Sequence, residues 1–156
     1  MTLKVNEATF SDMVQIERLY KKLYTGDEKQ NFFASKLNPD SFKSGQIILV
    51  TKDKRKIVGY CWLVWYKHIN EKGIGYLEEL YVDVNMRNRG IGKELINAAL
   101  SKLKDLEIKN IYCAVGKHMR DSQEFYKHIG FEKSTEIWFE KKYNCSSKEQ
   151  NNKILQ

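Results

Sequence analysis

The chain of 156 residues has one proline, Pro39, and nine glycines, which excludes collagen-like and proline-rich linker architectures. Its three cysteines, Cys61, Cys113 and Cys145, are an odd number without CxxC or metal-type spacing. They read as thiols of a reducing compartment rather than as a disulfide framework. The three histidines, His68, His118 and His128, are scattered and form no HExxH or HxH pair, so no metal site is expected. No apolar run approaches the roughly 18 residues that a membrane-spanning helix needs. The opening MTLKVNEATF lacks the apolar core of a signal peptide. The expectation is a cytoplasmic protein without membrane attachment.

What is present is enough apolar material for one core. Hydrophobic residues make up 42% of the chain and charged residues 30%, a globular rather than a disordered profile. The expected organisation is a single domain over residues 1–143, with a polar tail at 144–156. The formal net charge of +7 suggests an anionic partner: nucleic acid, membrane surface or a phosphorylated small molecule. No aromatic RNA-binding pattern or helix-turn-helix signal is found, so nucleic acid is not expected. The excess is not evenly spread: residues 85–104 hold Arg87, Arg89, Lys93, Lys102 and Lys104 against Glu94 alone.

Periodicity gives the order of elements. After a short strand at Leu3 and Val5, Ser11 is placed to cap a helix with Met13, Val14, Ile16, Leu19, Tyr20 and Leu23 on one stripe. A second helix from Asp27 through Leu37 would stop at Asn38-Pro39. Gln46–Thr51 and Ile57–Tyr66 read as a hairpin around the charged turn Lys52–Lys56, and Tyr76–Val84 as a third long strand. Gly90 to about Leu106 is the best helix, with Ile91, Leu95, Ile96, Ala99, Leu103 and Leu106 on its apolar side. Ile111–Val115 is a strand, Ser122–Ile129 a helix stopped by Gly130, and Phe131–Lys133 with Ile137–Lys142 the last strands. Hairpins followed by alternating strand and helix predict an α/β mixed sheet covered by helices.

The chemistry concentrates between Tyr76 and Leu95. There a strand runs into a turn holding Arg87-x-x-Gly90-x-Gly92, and the turn opens a helix. Glycines allow backbone to approach a ligand, and the first helical turn offers unpaired N–H groups at the positive end of the dipole. That arrangement binds phosphate or pyrophosphate, with Arg87, Arg89 and Lys93 adding charge. It is neither a Rossmann fingerprint, which needs a small residue where Leu95 stands, nor a Walker A loop, which needs Ser or Thr where Glu94 stands.

Three segments together, Leu80-Tyr81-Val82, Arg87–Gly92 and Phe125-Tyr126-Lys127-His128-Ile129-Gly130-Phe131, give the chain a resemblance to the GNAT superfamily of N-acetyltransferases. Val5–Thr9 with Asp12 adds a weak family start, and the resemblance covers about residues 3–142. It implies a central, mostly antiparallel sheet flanked by helices and acetyl-CoA as co-substrate, with no metal. It also implies a pyrophosphate held by the loop from Arg87 through Arg89, Gly90, Ile91 and Gly92 to Lys93, and a pantetheine arm running beside the main chain of Tyr81 and Val82. The family often keeps a tyrosine near the thioester sulfur, here Tyr126, and an asparagine seven residues before it, where this chain has Met119.

An amine acceptor with a pKa near that of lysine, about 10.4, is protonated at neutral pH, so transfer needs a base. Glu78 and Glu79 are the candidates, acting directly or through water. Strict alternation places Glu78 with Leu80, Val82 and Val84 in an apolar row, where an unpaired carboxylate has a raised pKa. The resemblance implies Tyr126 as the acid and the Val82 amide as the partner of the thioester carbonyl. Family acceptor pockets imply Tyr24, Glu28, Phe32 and Trp65 as substrate contacts, with Asp27, Phe33 and Trp62 nearby. Aromatic and acidic groups suit a small cationic amine, such as a polyamine. The alternatives are a protein amino group and an acyl-CoA sensor that does not turn over. A homodimer is compatible with all three.

Overall fold

The computed structural model describes residues 3–23, 45–67, 73–137, 139 and 141. Its contacts group into two compact units, Met1–Arg120 and Asp121–Gln156. In the first, strands β1 (Val5–Glu7), β2 (Gln46–Asp53), β3 (Lys56–Lys67), β4 (Gly73–Val82) and β5 (Asn110–Cys113) lie in that order in one sheet. Neighbours from β1 to β4 are antiparallel, and β5 runs parallel to β4 after the crossover helix α2 (Ile91–Asp105). The mixed sheet expected from the sequence is therefore present.

Two helices take opposite faces. On one, α2 buries Ile91, Leu95, Ile96, Ala99 and Leu103, the stripe its periodicity predicts. The sheet meets it with glycines: a Cβ on Gly75 would stand 2.6 Å from Leu103 Cδ1, and one on Gly59 3.2 Å from Ile91 Cγ2. On the other face, α1 (Met13–Leu23) packs Ile16, Leu19 and Tyr20 against Ile48, Val50, Ile57, Tyr60 and Tyr81. Each such fully buried aliphatic side chain stabilises the fold by about 1.5–3 kcal/mol. Gln15 ties α1 to the β2–β3 hairpin: its Oε1 accepts from Ile57 N–H at 3.0 Å, and its Nε2 donates to Arg55 O at 3.3 Å.

Several boundaries differ from expectation. Thr9, not Ser11, leads into α1 through a short 3-10 turn at Phe10–Asp12; its N–H and hydroxyl both donate to Asp12 Oδ2 at 3.0 Å. Val14 lies off the core stripe and is 70% exposed. β4 begins at Gly73 and ends at Val82, so Val84 belongs to a second 3-10 turn, Val84–Met86, and is exposed. Phe131–Lys133 is not a strand, nor are residues 137, 139 and 141 of the expected strand at 137–142. Isolated apolar pairs carry a strand pattern only where a neighbour supplies the ladder. The expected helix from Asp27 to Leu37 and the tail 144–156 lie outside the described residues.

The second unit contains most of helix α3 (Arg120–His128), whose end follows a Schellman motif. Phe131 N–H donates to Tyr126 O at 2.9 Å and Gly130 N–H to Lys127 O at 3.0 Å. Gly130 adopts φ 95°, which explains its place two residues past the helix.

Two buried carboxylates link stability to pH. Burial alone would raise the Asp12 carboxyl, but Lys52 Nζ at 2.6 Å and the bonds from Thr9 outweigh it and hold it below its ordinary 3.8. Asp83 is lowered by Lys22 Nζ at 2.9 Å and by the Asn85 amide. A depressed carboxylate contributes its full stability above about pH 4 and loses it as pH falls through the lowered value. The thermal midpoint, followed by circular dichroism, should therefore fall steeply below about pH 4. The fall should be shallower in Asp83→Asn and Asp12→Asn.

Candidate functional site

The site begins where β4 loses a neighbour. Only Ile74–Leu77 pair with β5, whereas β3 accompanies β4 as far as Val82. From Glu78 to Val82 one edge of β4 therefore has no strand beside it among the described residues. Asp83 N–H donates to Val58 O at 2.8 Å, which fixes the alternation of the β3–β4 ladder. One residue earlier, where Val82 faces Gly59, the N–H and C=O of Val82 must point away from β3, onto the open edge. The Val82 carbonyl accepts Arg87 Nε at 3.2 Å, and the guanidinium carbon lies 5.9 Å from the centre of the Tyr81 ring. The Val82 amide lies on the edge left open for a ligand.

The chain then turns toward α2. Asp83 is buried; its carboxylate receives Asn85 N–H at 3.2 Å and Lys22 Nζ at 2.9 Å, which anchors the turn to α1. Asn88 and Gly90 both adopt left-handed backbone, with φ 60° and 78°. A Cβ on Gly90 would meet nothing within 4 Å, so glycine is required there by conformation and not by space. The first bond of the helical ladder runs from Glu94 N–H to Gly90 O at 3.0 Å. The amides of Gly90, Ile91, Gly92 and Lys93 thus stand ahead of the ladder, at the positive end of the helix dipole. Arg87, Arg89 and Lys93 are exposed beside them. This cradle has the donors and charge that a pyrophosphate needs.

The carboxylates are arranged differently from the alternation argument. A bulge in the β3–β4 ladder pairs Trp62 with Glu79 and Leu63 with Leu77, leaving Glu78 as the extra residue. Gly73, Gly75 and Leu77 face α2, but past the bulge the parity is reversed, and Glu79 and Tyr81 face the α1 side. Glu78 is exposed, not set in an apolar row. Glu79 is half-buried and accepts the Tyr60 hydroxyl at 2.7 Å, with Tyr60 itself fully buried. Burial and the charge of Glu79 push the Tyr20 hydroxyl above its ordinary 10.0. The pair most firmly fixed at this point is Tyr60–Glu79, and the sequence reading contained no role for Tyr60. Its signal was present in the alternation Tyr60, Trp62, Val64, Tyr66 along β3, whose odd positions Gly59 and Leu63 pair with residues facing α2.

Trp65 pairs with Gly75 and therefore faces α2, the side opposite Glu79, so it does not share a pocket wall with that carboxylate. Trp62 stands on the Glu79 side and donates from Nε1 to Gln46 Oε1 at 3.1 Å. Tyr24, Asp27, Glu28, Phe32 and Phe33 lie outside the described residues. Within the second unit, Tyr126 is half-buried between Phe125 and Phe131, each 5.3 Å away in an edge-to-face contact. Burial pushes the Cys61 thiol up to about 12 and the Cys113 thiol to about 11, so neither offers a thiolate at neutral pH. No group of three or more His, Cys, Asp or Glu could hold a metal ion among the described residues. No helix there is long and apolar enough to cross a membrane.

Residues 13–131 match the model of the acetyltransferase (GNAT) family. An uncharacterized N-acetyltransferase of Methanocaldococcus jannaschii is 30% identical over 138 residues, covering 84% of this chain. The aligned region spans 61% of the length of that relative. Among solved structures, an aminoglycoside acetyltransferase from an uncultured soil metagenomic sample superposes with a TM-score of 0.75 at 21% identity, covering 90% of this chain and 97% of its own. The structure of AAC(6')-Iy in complex with the bisubstrate analogue CoA-S-monomethyl-acetylneamine gives 0.77 at 16% identity, covering 92% and 100%. An acetyltransferase of Trypanosoma brucei gives 0.74 at 18% identity, covering 90% and 99%.

The left-handed Gly90 supplies a direct test of the cradle. Gly90→Val should weaken coenzyme A binding by at least about tenfold in calorimetry, because a β-branched residue cannot hold that φ without strain. Gly90→Asn, which tolerates left-handed backbone, should retain most of the affinity. Equal loss in both variants would contradict the conformational account.

Proposed function

The chain belongs to the GNAT acetyltransferase family, and on that premise we propose that it transfers the acetyl group of acetyl-CoA to a primary amine of a small cationic molecule, such as a polyamine. The observation that carries this reading is the open edge of β4 from Glu78 to Val82, which runs into the amide cradle at Gly90–Lys93. An extended pantetheine arm would lie along that edge as a missing strand, with its pyrophosphate at the helix start. That a structural relative with this fold is known in complex with a bisubstrate analogue of coenzyme A supports the acetyl-transfer reading.

In this reading Glu79 is the base. A group that removes a proton must be held in position, and the Tyr60 hydroxyl holds Glu79 while Glu78 projects into solvent. Glu79 takes the proton of the bound ammonium, directly or through one water, and the freed amine nitrogen attacks the acetyl carbonyl. The Val82 N–H stabilises the developing oxyanion, held in place by the Arg87 bond to the carbonyl of the same residue. The C–N bond forms as the C–S bond breaks, Tyr126 gives its hydroxyl proton to the departing thiolate, and the second proton shed by the acylated nitrogen returns through water to the tyrosinate. That role for Tyr126 rests on its place in the FYKHIGF motif.

Thiol release from acetyl-CoA, measured against polyamines, amino acids, aminosugars and basic peptides, tests the reading. Glu79→Gln should lower kcat on the order of a hundredfold, and Glu78→Gln no more than about threefold. Tyr126→Phe should lower kcat while leaving the acetyl-CoA Kd within about twofold. Tight binding of acetyl-CoA without thiol release for any amine would make the protein a sensor instead.

A further inference from the structure

Three tyrosines on neighbouring strands form a row on the sheet face that carries Glu79. Tyr66 of β3 and Tyr76 of β4 stack with ring centres 5.8 Å apart and planes 21° from parallel, and their hydroxyl oxygens lie 3.2 Å apart. Tyr76 and Tyr112 of β5 are register partners with centres also 5.8 Å apart. Their face is fixed by parity. Gly75 faces α2, so Tyr76 points to the opposite side, and there the bulge at Glu78 also brings Glu79. Trp62, paired with Glu79, lies on the same face of β3, beyond Val64, and packs against the core under α1. Tyr66 is 45% exposed and Tyr76 and Tyr112 are half-buried, so the row does not belong to the core under α1.

We propose that Tyr66, Tyr76 and Tyr112 form an aromatic platform that selects acceptors carrying a second ammonium group. This inference rests on the acetyl-transfer reading above. The reacting amine lies at Glu79, and the second ammonium with its hydrocarbon arm lies over the tyrosine rings. Aromatic faces attract cations through the ring quadrupole and also cover methylene groups, which suits a diammonium or polyammonium chain better than a neutral or anionic molecule. Charge complementarity points the same way, because the exposed carboxylate of Glu78 and that of Glu79 are the acidic groups on the adjoining stretch of β4. Reach is also satisfied: with Glu78 bulged, Tyr76 and Glu79 pair with Val64 and Trp62, two residues apart on a strand rising about 3.3 Å per residue, hence about 7 Å. An extended polyamine arm spans that interval.

Steady-state kinetics with spermidine and with butylamine, which has one amine on an equivalent arm, test the platform. Tyr76→Ala should raise the KM for spermidine about five- to tenfold and leave that for butylamine within about twofold. Tyr76→Phe keeps the ring and should retain the KM of the natural protein, and coenzyme A affinity should be unchanged in both variants. Tyr66→Ala, at the more exposed end of the row, serves with the same readouts if Tyr76→Ala does not fold. An equal change for both amines, no change for either, or the same loss in the Phe and Ala variants would overturn the proposal. Absence of transfer to both amines by the natural protein would count against the acetyl-transfer reading instead. Calorimetric titration of the coenzyme A complex with spermidine then decides on the platform alone. Binding kept by Tyr76→Phe and weakened by Tyr76→Ala sustains it, and no binding overturns it.

Discussion

A strand in the middle of a sheet has both edges satisfied, and β4 has both only as far as Leu77. From the next residue onward its second edge has no strand beside it among the described residues, and that local deficit organises the site. Backbone N–H and C=O groups without a ladder partner need water, side chains or a ligand. Arg87 satisfies the Val82 carbonyl, and the amide of the same residue lies on the open edge. The bulge at Glu78 occurs at the same point and reverses which side chains face which helix. One irregularity therefore sets both the edge proposed for the co-substrate and the carboxylate proposed for the acceptor.

The polar groups around this edge hold one another in place. Asp83 joins the end of β4 to α1 through Lys22 and to the following turn through the Asn85 amide. Lys22 is about half exposed, so solvent screening limits what the pair adds to stability. Its consequence is geometric: it fixes the direction in which the chain leaves β4. The left-handed Asn88 and Gly90 then aim the first turn of α2 so that its unpaired amides cluster. Precise placement of donors before a ligand arrives is what electrostatic stabilisation of an anion requires.

Much of this was legible in the sequence because it depends on local spacing. The stripe Ile91, Leu95, Ile96, Ala99 and Leu103 marks a helix and its buried side, and the two glycines behind Arg87 mark where that helix starts. The hairpin around Lys54 and Arg55 followed from charge between two apolar runs. What failed was long-range. A bulge changes the facing of every later residue in a strand, yet it is defined by the partner strand, so nothing in Tyr76–Val82 alone announces it. That is why Glu78 was placed in an apolar row it does not join. The family resemblance groups Trp65 with acceptor contacts, while its pairing with Gly75 turns it toward α2. Ser11 and Thr9 are both good caps by type, and the choice of Thr9 was made by the bonds its amide and hydroxyl give to Asp12, with Lys52 on the other carboxylate oxygen.

The two faces of the sheet also differ in what their residues can do. Against α2 the sheet presents glycines and aliphatic side chains at close range, a surface suited to holding a helix start in one place. Its buried thiol, Cys61, has its ionisation pushed far above neutrality and takes no part in proton transfer. Toward α1 the same strands present Tyr60, Trp62, Glu79 and Tyr81, amphipathic and ionisable groups that combine packing with hydrogen bonding. Chemistry on an amine needs a fixed acceptor of protons, and among the described residues this face provides a carboxylate fixed by a fully buried hydroxyl. A base on the α2 face would have to displace the contacts that position the cradle. The division of labour across the sheet therefore follows from packing, with rigidity on one side and polar freedom on the other.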